Sequence, residues 1–265
     1  IDGGGGNAIQ LLARSLAALE ADTPLRVSGL SGGTSQYQIP KEAGATLAFP
    51  PGRLDALRAR LDSLKRDFSR ECPASPGLEL VLEPLATGLP ESLYTLEDSA
   101  RVIAFLAALP NGVHARDDRF SGLPGVFNNL GQLKSGEFGV TLYGTQRGST
   151  VAGLQELNQR LRKVAEAHKA QFRAYDWDAP WLSPQPSDLV RRLRAAHARQ
   201  FGQEPTVSLL CASAEAGRIA RNCGITDTVV LGPTVELINE PGERVHIPSI
   251  QRLRALLAGL LASYR

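Results

Sequence analysis

Four histidines and three cysteines are the side chains of this 265-residue chain best suited to metal binding or nucleophilic attack. A hydrolytic zinc site needs His and carboxylate ligands, an open position for water, and a carboxylate to take the water's proton. The histidines lack that spacing. His114 falls in a turn, His168 and His197 on polar helix positions, and His246 between Val245 and Ile247. Packing or solvent exposure is the reading their positions support. Cys72, Cys211 and Cys223 are odd in number and far apart, with no Cys-x-x-Cys. That argues against a disulfide framework or a structural zinc, and for buried thiols in a reducing compartment. Cys211 ends an expected strand and could act as a nucleophile, but no histidine is placed beside it. The Gly3–Gly6 run opens a helix, where backbone N–H groups attract anions. It has neither the Lys-Ser/Thr of a phosphate loop nor a preceding strand, so nucleotide binding is not expected. Two charged residues stay open at this level. Arg147 is either a carboxylate-gripping fork or a surface ion-pair residue. Glu215, at a helix start, either caps the helix and meets solvent or contacts a ligand.

These residues must be positioned by regular elements. Asn7–Leu19 reads as a helix, with Ile9, Leu12, Leu16 and Leu19 at helical spacing and Asn7 as its cap. Short strands are expected over Leu25–Leu30, Ser35–Ile39 and Ala43–Phe49, punctuated by Gly32-Gly33 and Pro40. Leu54–Phe68 is an amphipathic helix with a Leu54, Leu57, Leu61, Leu64 stripe. Leu78–Pro84 alternates as a strand. Leu96–Leu109 is a helix stopped by Pro110-Asn-Gly112. Gly125–Leu133 and Glu137–Tyr143 read as a hairpin around Lys134-Ser-Gly136. Gly153–Ala170 is a helix and Gln171–Asp176 a strand. A linker rich in Pro and Trp follows, from Asp176 to Pro186. Beyond it come a basic helix (Ser187–Phe201), a strand (Thr206–Cys211), a helix (Ala214–Asn222), a strand (Asp227–Leu231) and a last helix (Ser249–Ser263). The first stretch predicts helices over one face of a largely antiparallel sheet. The alternation after residue 180 predicts part of a parallel or mixed α/β sheet.

Composition excludes several function classes. Hydrophobic residues make up 43% and charged residues 21%, as in ordinary globular chains. A net charge of +2 does not suggest a nucleic-acid partner. The arginines of Arg191-Arg-Leu-Arg194 read as a solvated helix face. No apolar run reaches the roughly 20 residues of a membrane span. Methionine is absent, even at position 1, and the start has no secretory pattern. The chain is therefore expected to be a processed or truncated piece of a longer polypeptide.

Several motifs occur in a telling order. Gly6-Asn-Ala8 with Leu11-Leu12 comes first. Then follow Gly32-Gly-Thr34, Ile39-Pro-Lys-Glu-Ala43, Pro110-Asn-Gly-Val113, Asn129-Leu-Gly131, Arg147-Gly-Ser149 and the long segment Gly232–Ser249. Together they resemble the aminoacyl-histidine dipeptidases, a branch of the di-zinc aminoacylase/carboxypeptidase-type metallopeptidases. In that family the last segment reads Gly-Pro-Thr, a spacer, then His-Ser-Pro-Asp-Glu-Arg-Val.

The resemblance implies a division of labour. Residues 1–178 correspond to the family's lid, or dimerisation, domain, and residues 179–265 to the returning C-terminal segment of its catalytic domain. The expected fold class is α/β: an α+β lid with a largely antiparallel sheet and helices on one face, then a partial α/β peptidase segment. The family's His-x-Asp ligands, bridging Asp and Glu-Glu pair have no counterpart here. Its last histidine ligand is Asn239, and an amide oxygen is a poor zinc ligand beside an imidazole. The family's His-Ala-Gly-Leu-Glu-Cys-Gly is matched by Cys211–Gly217, with Glu215 kept. A substrate-binding lid asparagine becomes Tyr37. Arg147 stands where the family grips the substrate carboxylate. The implied substrate-binding residues are thus Arg147, Glu215 and Tyr37, with no catalytic residue. Zinc is implied for the family and none is expected on this chain. A cytoplasmic homodimer joined through the lid, taking a small peptide, is expected, with no nucleic acid and no membrane. Hydrolysis by this chain alone is not expected. The alternative is a non-catalytic dimerisation or peptide-binding module.

Overall fold

The computed structural model describes residues 3–85, 88, 90, 92–118, 123–136, 139–175, 180, 186–208, 215–238 and 242–264. The chain divides into two units. The first takes in residues 1–117, 124–148 and 152–175, and the second the remainder, chiefly 176–265.

The first unit opens with α1 (Ala8–Asp22). Asn7 caps it, its side-chain oxygen accepting from the Gln10 N–H. Strands β1 (Arg26–Gly32) and β2 (Ala43–Ala48) follow, then α2 (Leu54–Glu71) and α3 (Leu96–Ala108), which is capped by Thr95. Strands β3 (Gly112–Asp117), β4 (Leu123–Gly136) and β5 (Gly139–Gly148) complete a five-stranded sheet, and α4 (Val151–Ala167) returns over it. The order is β2-β1-β4-β3, with β5 also on β4. The pairs β1–β2, β1–β4 and β4–β5 are antiparallel.

Ile9, Leu16, Leu57, Leu61, Ile103, Leu106, Leu157 and Leu161 bring one stripe from each of the four helices into a single core. Val27, Leu30, Val126, Leu130 and Leu133 meet them from the sheet. A bulge between Val27 and Gly29 lets Val27 and Leu30 face the same side. All the helices therefore lie over one face, and alternation turns Phe127, Asn129, Thr145 and Arg147 to the other.

Several expectations shift. The sheet is as expected, but β3 and the full lengths of β4 and β5 were not foreseen. Pairing runs from Val126↔Gly148 to Gly136↔Gly139, so Lys134-Ser-Gly136 lies inside β4 rather than at the turn. No strand forms over 78–84. Leu80 and Leu82 do point into the core while Val81 is exposed, so the alternation was real without a ladder partner. Residues 171–175 form no strand either, and Glu137 and Asp176 lie outside the described residues.

The second unit contains α5 (Asp188–Phe201), α6 (Glu215–Cys223), a short hairpin β6 (Val235–Glu236) with β7 (Arg244–Val245), and α7 (Ile247–Ala262). Ser187 caps α5, and Asp227 accepts from both the Ser187 hydroxyl and the Leu189 N–H at 2.6 and 3.0 Å. Leu193 and Ala196 of α5 pack on Leu256 and Leu260 of α7. Arg192 stacks on Tyr264 with its guanidinium 4.6 Å from the ring centre. The expected strands over 206–208 and 227–231 do not form. A strand needs a hydrogen-bonding neighbour, and none of the described elements here supplies one.

Ile103 is fully buried in the core that the four helices and the sheet of the first unit share. Ile103→Ala removes its outer side-chain carbons from a close-packed site and is expected to lower stability by about 3 kcal/mol. Chemical denaturation monitored by circular dichroism measures this loss.

Candidate functional site

The open face of the first unit's sheet is organised around a gap. β5 occupies one edge of β4 along its length. The other edge is shared by β1, which pairs only at Ser31↔Lys134 and Gly32↔Leu133, and by β3 further along. Between them, Leu130 has no strand neighbour on that edge among the described residues. Two side-chain amides take the neighbour's place. The Leu130 N–H donates to Asn111 Oδ1 at 3.0 Å, and its carbonyl accepts from Asn7 Nδ2 at 2.9 Å. Asn7 Nδ2 also reaches Asn129 Oδ1 at 3.1 Å. Asn111 Nδ2 donates to Gln10 Oε1 at 3.2 Å. Buried backbone groups demand such partners, and short side-chain amides supply donor and acceptor together.

The β1–β2 connection folds back over this gap. Gly33 is left-handed (φ +63°), and a Cβ there would lie 2.0 Å from the Gly131 carbonyl oxygen. A Cβ on Gly131 would lie 2.4 Å from the Gln36 carbonyl oxygen. Gly131 is also the unpaired bulge residue between Leu130 and Gln132. Backbone therefore touches backbone, and both positions exclude a side chain.

The loop's carbonyls are fixed at every second residue. Thr34 O accepts from Gln132 Nε2 at 2.9 Å, and Gln36 O from the Thr145 hydroxyl at 2.7 Å. Gln38 O accepts from Asn129 Nδ2 at 2.8 Å, Pro40 O from the Ala8 N–H at 3.0 Å, and Glu42 O from the Gly33 N–H at 3.1 Å. The expected strand over Ser35–Ile39 is thus a turn-containing loop, with Gln38 N–H bonded back to Ser35 O. Its alternation is genuine, but its inward carbonyls meet side chains rather than a ladder.

Tyr37 sits at the crest of this loop and is 58% exposed. Arg147 lies on β5 opposite Phe127, two residues beyond Thr145 and so on the same face. Thr145 is the residue that holds Gln36. The fold thus brings the Tyr37 loop and the Arg147 strand to one face of one sheet. Glu215 is the first residue of α6, in the second unit. Asn239 and Cys211 lie outside the described residues.

The histidines are dispersed. His114 is in β3 rather than a turn, and burial, helped by Arg160, pulls its imidazole below the ordinary range. His168 packs beside Phe105, and His197 packs on Phe201 and bonds the Gln203 carbonyl at 2.7 Å. His246 precedes α7 without a side-chain cap bond. Among the described residues, no three His, Cys, Asp or Glu side chains gather to hold a metal. This donor set does not fit the zinc that the resemblance implies for the family, and no step is derived through it.

Behind the Asn7 network lies a polar cleft of about 280 Å3, lined by Gly6, Asn7, Arg14, Glu71, Cys72 and Asn111 among others. Arg14 grips Glu71 with two bonds of 2.6 and 2.9 Å and stacks on Phe68, 4.4 Å from the ring centre. The Arg14 fork holds the Glu71 carboxyl below its usual range. Burial pushes the Cys72 thiol up, away from the reactive thiolate.

A helix-backed antiparallel sheet of this kind is the frame of a known class of domain. Residues 2–76 match the family described as Peptidase dimerisation domain. The chain is also 27% identical, over 257 residues, to the cytosol non-specific dipeptidase of Escherichia coli (strain K12). That alignment covers 97% of this chain and 53% of the relative. The crystal structure of the aminoacylhistidine dipeptidase from Vibrio alginolyticus superposes with a TM-score of 0.84 at 27% identity, over 99% of this chain and 54% of that one. The chain is thus similar over nearly its whole length to two dipeptidases, carries a stretch matching a peptidase dimerisation domain, and spans about half the length of these two relatives.

The asparagines that build the junction were not read as such from the sequence beyond the Asn7 cap. Their signal was local: Gly-Asn-Ala and Pro-Asn-Gly set an asparagine beside a glycine, and Asn-Leu-Gly sets one two residues before a glycine, all outside helices. Thr145 and Gln132 gave no comparable signal.

Asn7→Ala removes the α1 cap and strips partners from Leu130 and Asn129 together. A loss of about 2–4 kcal/mol is expected by denaturant titration, above the roughly 1 kcal/mol of a surface cap. The Arg14–Glu71 pair supports a pH prediction. Because the folded carboxyl titrates below the unfolded one, its contribution is present above the unfolded range near ~4.3 and fades as pH falls through the depressed folded value. With side chains 39% and 47% exposed, the pair contributes less than about 1 kcal/mol. In Arg14→Ala, NMR titration should find the Glu71 carboxyl shifted up towards the ordinary range.

Proposed function

We propose that this chain carries the substrate-gripping face of a dipeptidase-type protein, binds a short peptide there, and does not hydrolyse it by itself. The observation that carries this reading is the pinned loop presenting Tyr37 on the same sheet face as Arg147. A guanidinium fork suits the terminal carboxylate of a small peptide, which it can hold through two parallel bonds. An exposed phenol on a fixed loop can pack on, and hydrogen-bond to, the same short ligand. Glu215 and the segment containing Asn239 belong to the portion that corresponds, by resemblance, to the relatives' C-terminal catalytic segment. With asparagine at the position of the last histidine ligand, that portion is assigned no hydrolytic step. Domain limits near residues 178 and 179 and a cytoplasmic setting go with this reading.

A second reading, assembly without a peptide ligand, is favoured by the match of residues 2–76 to a dimerisation domain. In it the first unit joins two copies of the chain and nothing more. The two readings agree on a homodimer and differ on the peptide.

The test uses the chain as it stands. After dialysis it should hold far less than one zinc per chain and show no turnover of an aminoacyl-histidine dipeptide. Calorimetry should nonetheless detect dipeptide binding, weakened about tenfold or more in Arg147→Ala, the scale of a lost charge-assisted bond. Stoichiometric zinc with turnover would overturn the non-hydrolytic reading. A dimer that binds no dipeptide would select the assembly reading.

A further inference from the structure

We propose that Asn129 is the positioning residue of this face: it sets the conformation of the 33–42 loop and thereby the placement of Tyr37. The inference deepens the peptide-binding reading above and rests on it for the role of Tyr37. Asn129 is 5% exposed and uses both ends of its amide. Its Nδ2 donates to the Gln38 carbonyl at 2.8 Å and to the Gln36 carbonyl at 3.3 Å. Those two carbonyls flank Tyr37. Its Oδ1 accepts from Asn7 Nδ2 at 3.1 Å.

Asn7 is itself oriented by the backbone. Its Oδ1 accepts from the Gln10 N–H at 3.1 Å, which leaves only its Nδ2 to face Asn129. Donor polarity therefore runs one way, from the first turn of α1 through Asn7 and Asn129 to the two loop carbonyls. Neither amide can flip without placing oxygen against oxygen. Thr145 reaches the Gln36 carbonyl and Gln132 the Thr34 carbonyl, while the Tyr175 hydroxyl donates to the Gln36 side-chain oxygen. Asn129 bonds the carbonyls on both sides of Tyr37 from one amide nitrogen. Gly131, two residues further on, lacks the side chain that would hold the loop away.

The shape-matched change Asn129→Asp separates this role from packing. A carboxylate keeps the acceptor for Asn7 but loses both donors and turns a negative charge on two carbonyls. Asn7→Asp gives a second route. It keeps the α1 cap and removes the donor to Asn129 together with the donor to the Leu130 carbonyl, while leaving the Asn129 amide that bonds the loop in place. Asn128→Asp is the control. Asn128 is equally buried and donates to the Pro110 carbonyl at 2.6 Å, but it faces the helices and not the loop.

The full chain labelled with 3-fluorotyrosine at position 37 reports the loop by fluorine NMR. Asn129→Asp and Asn7→Asp are expected to shift and broaden the Tyr37 line by more than its width, and Asn128→Asp to leave it in place. Affinity for an aminoacyl-histidine dipeptide should fall about tenfold in the first two variants. A Tyr37 line unchanged in Asn129→Asp, or moved as much by Asn128→Asp, would overturn the proposal. If Asn129→Asp does not fold, Asn7→Asp decides by the same line. A wild-type line that ignores added dipeptide would sink the peptide-binding reading alone, because the loop readout is taken without ligand.

Discussion

A buried backbone without a neighbour is the constraint on which the first unit depends. At Leu130 one strand has ended and the next has not begun, yet its N–H and carbonyl point inward. An unpaired buried amide costs about as much as a lost hydrogen bond, so the gap must be filled. Filling it with Asn7 and Asn111 has wider effects. It ties the start of α1 to the middle of the sheet, and the end of α3 to the same point. It also leaves Asn129 free to turn outward and hold a loop. One local deficit thus joins helix, strand and loop.

Such an arrangement makes the candidate site a product of the scaffold rather than an addition to it. Tyr37 and Arg147 are far apart in sequence and on different elements. They share a face because Thr145, two residues before Arg147, holds the carbonyl just before Tyr37. The chemistry of the face is modest: a cation, a phenol and fixed carbonyls. The second unit contrasts with it. Its packed cluster is four buried residues of α5 and α7, while Ile247 and Leu261 are each 68% exposed.

Much of this was legible in the residues, and what was not has a physical cause. The helices announced themselves because an amphipathic stripe is a local property: Leu57 and Leu61, or Leu157 and Leu161, need only one another to be seen. The sheet's antiparallel character was also plain. Strand ends were not, because pairing partners set them: β4 runs on to Gly136 only because β5 is there to receive it. The 33–42 loop was the instructive case. Its alternation resembled a strand, but the partners of its inward carbonyls are side chains of two distant strands, β4 and β5. No period in residues 35–39 can report that. Arg147 and Tyr37 entered through a resemblance to known motifs, not through spacing. The motifs that carried the resemblance, Gly6-Asn-Ala8, Pro110-Asn-Gly112 and Asn129-Leu-Gly131, prove to be joinery.

The fixing of alternate carbonyls gives this loop a parity. Thr34, Gln36 and Gln38 turn their carbonyls to side chains of the sheet, and Tyr37 stands between two of them. The loop is anchored at both ends, by the close approach of Gly33 to Gly131 and by the Ala8 bond to Pro40. Inserting or deleting a single residue would exchange the inward and outward sets while the ends stayed put. A change of two would preserve them. Length is thus expected to matter here by its parity as well as its size, a constraint of counting on a stretch that has no regular secondary structure.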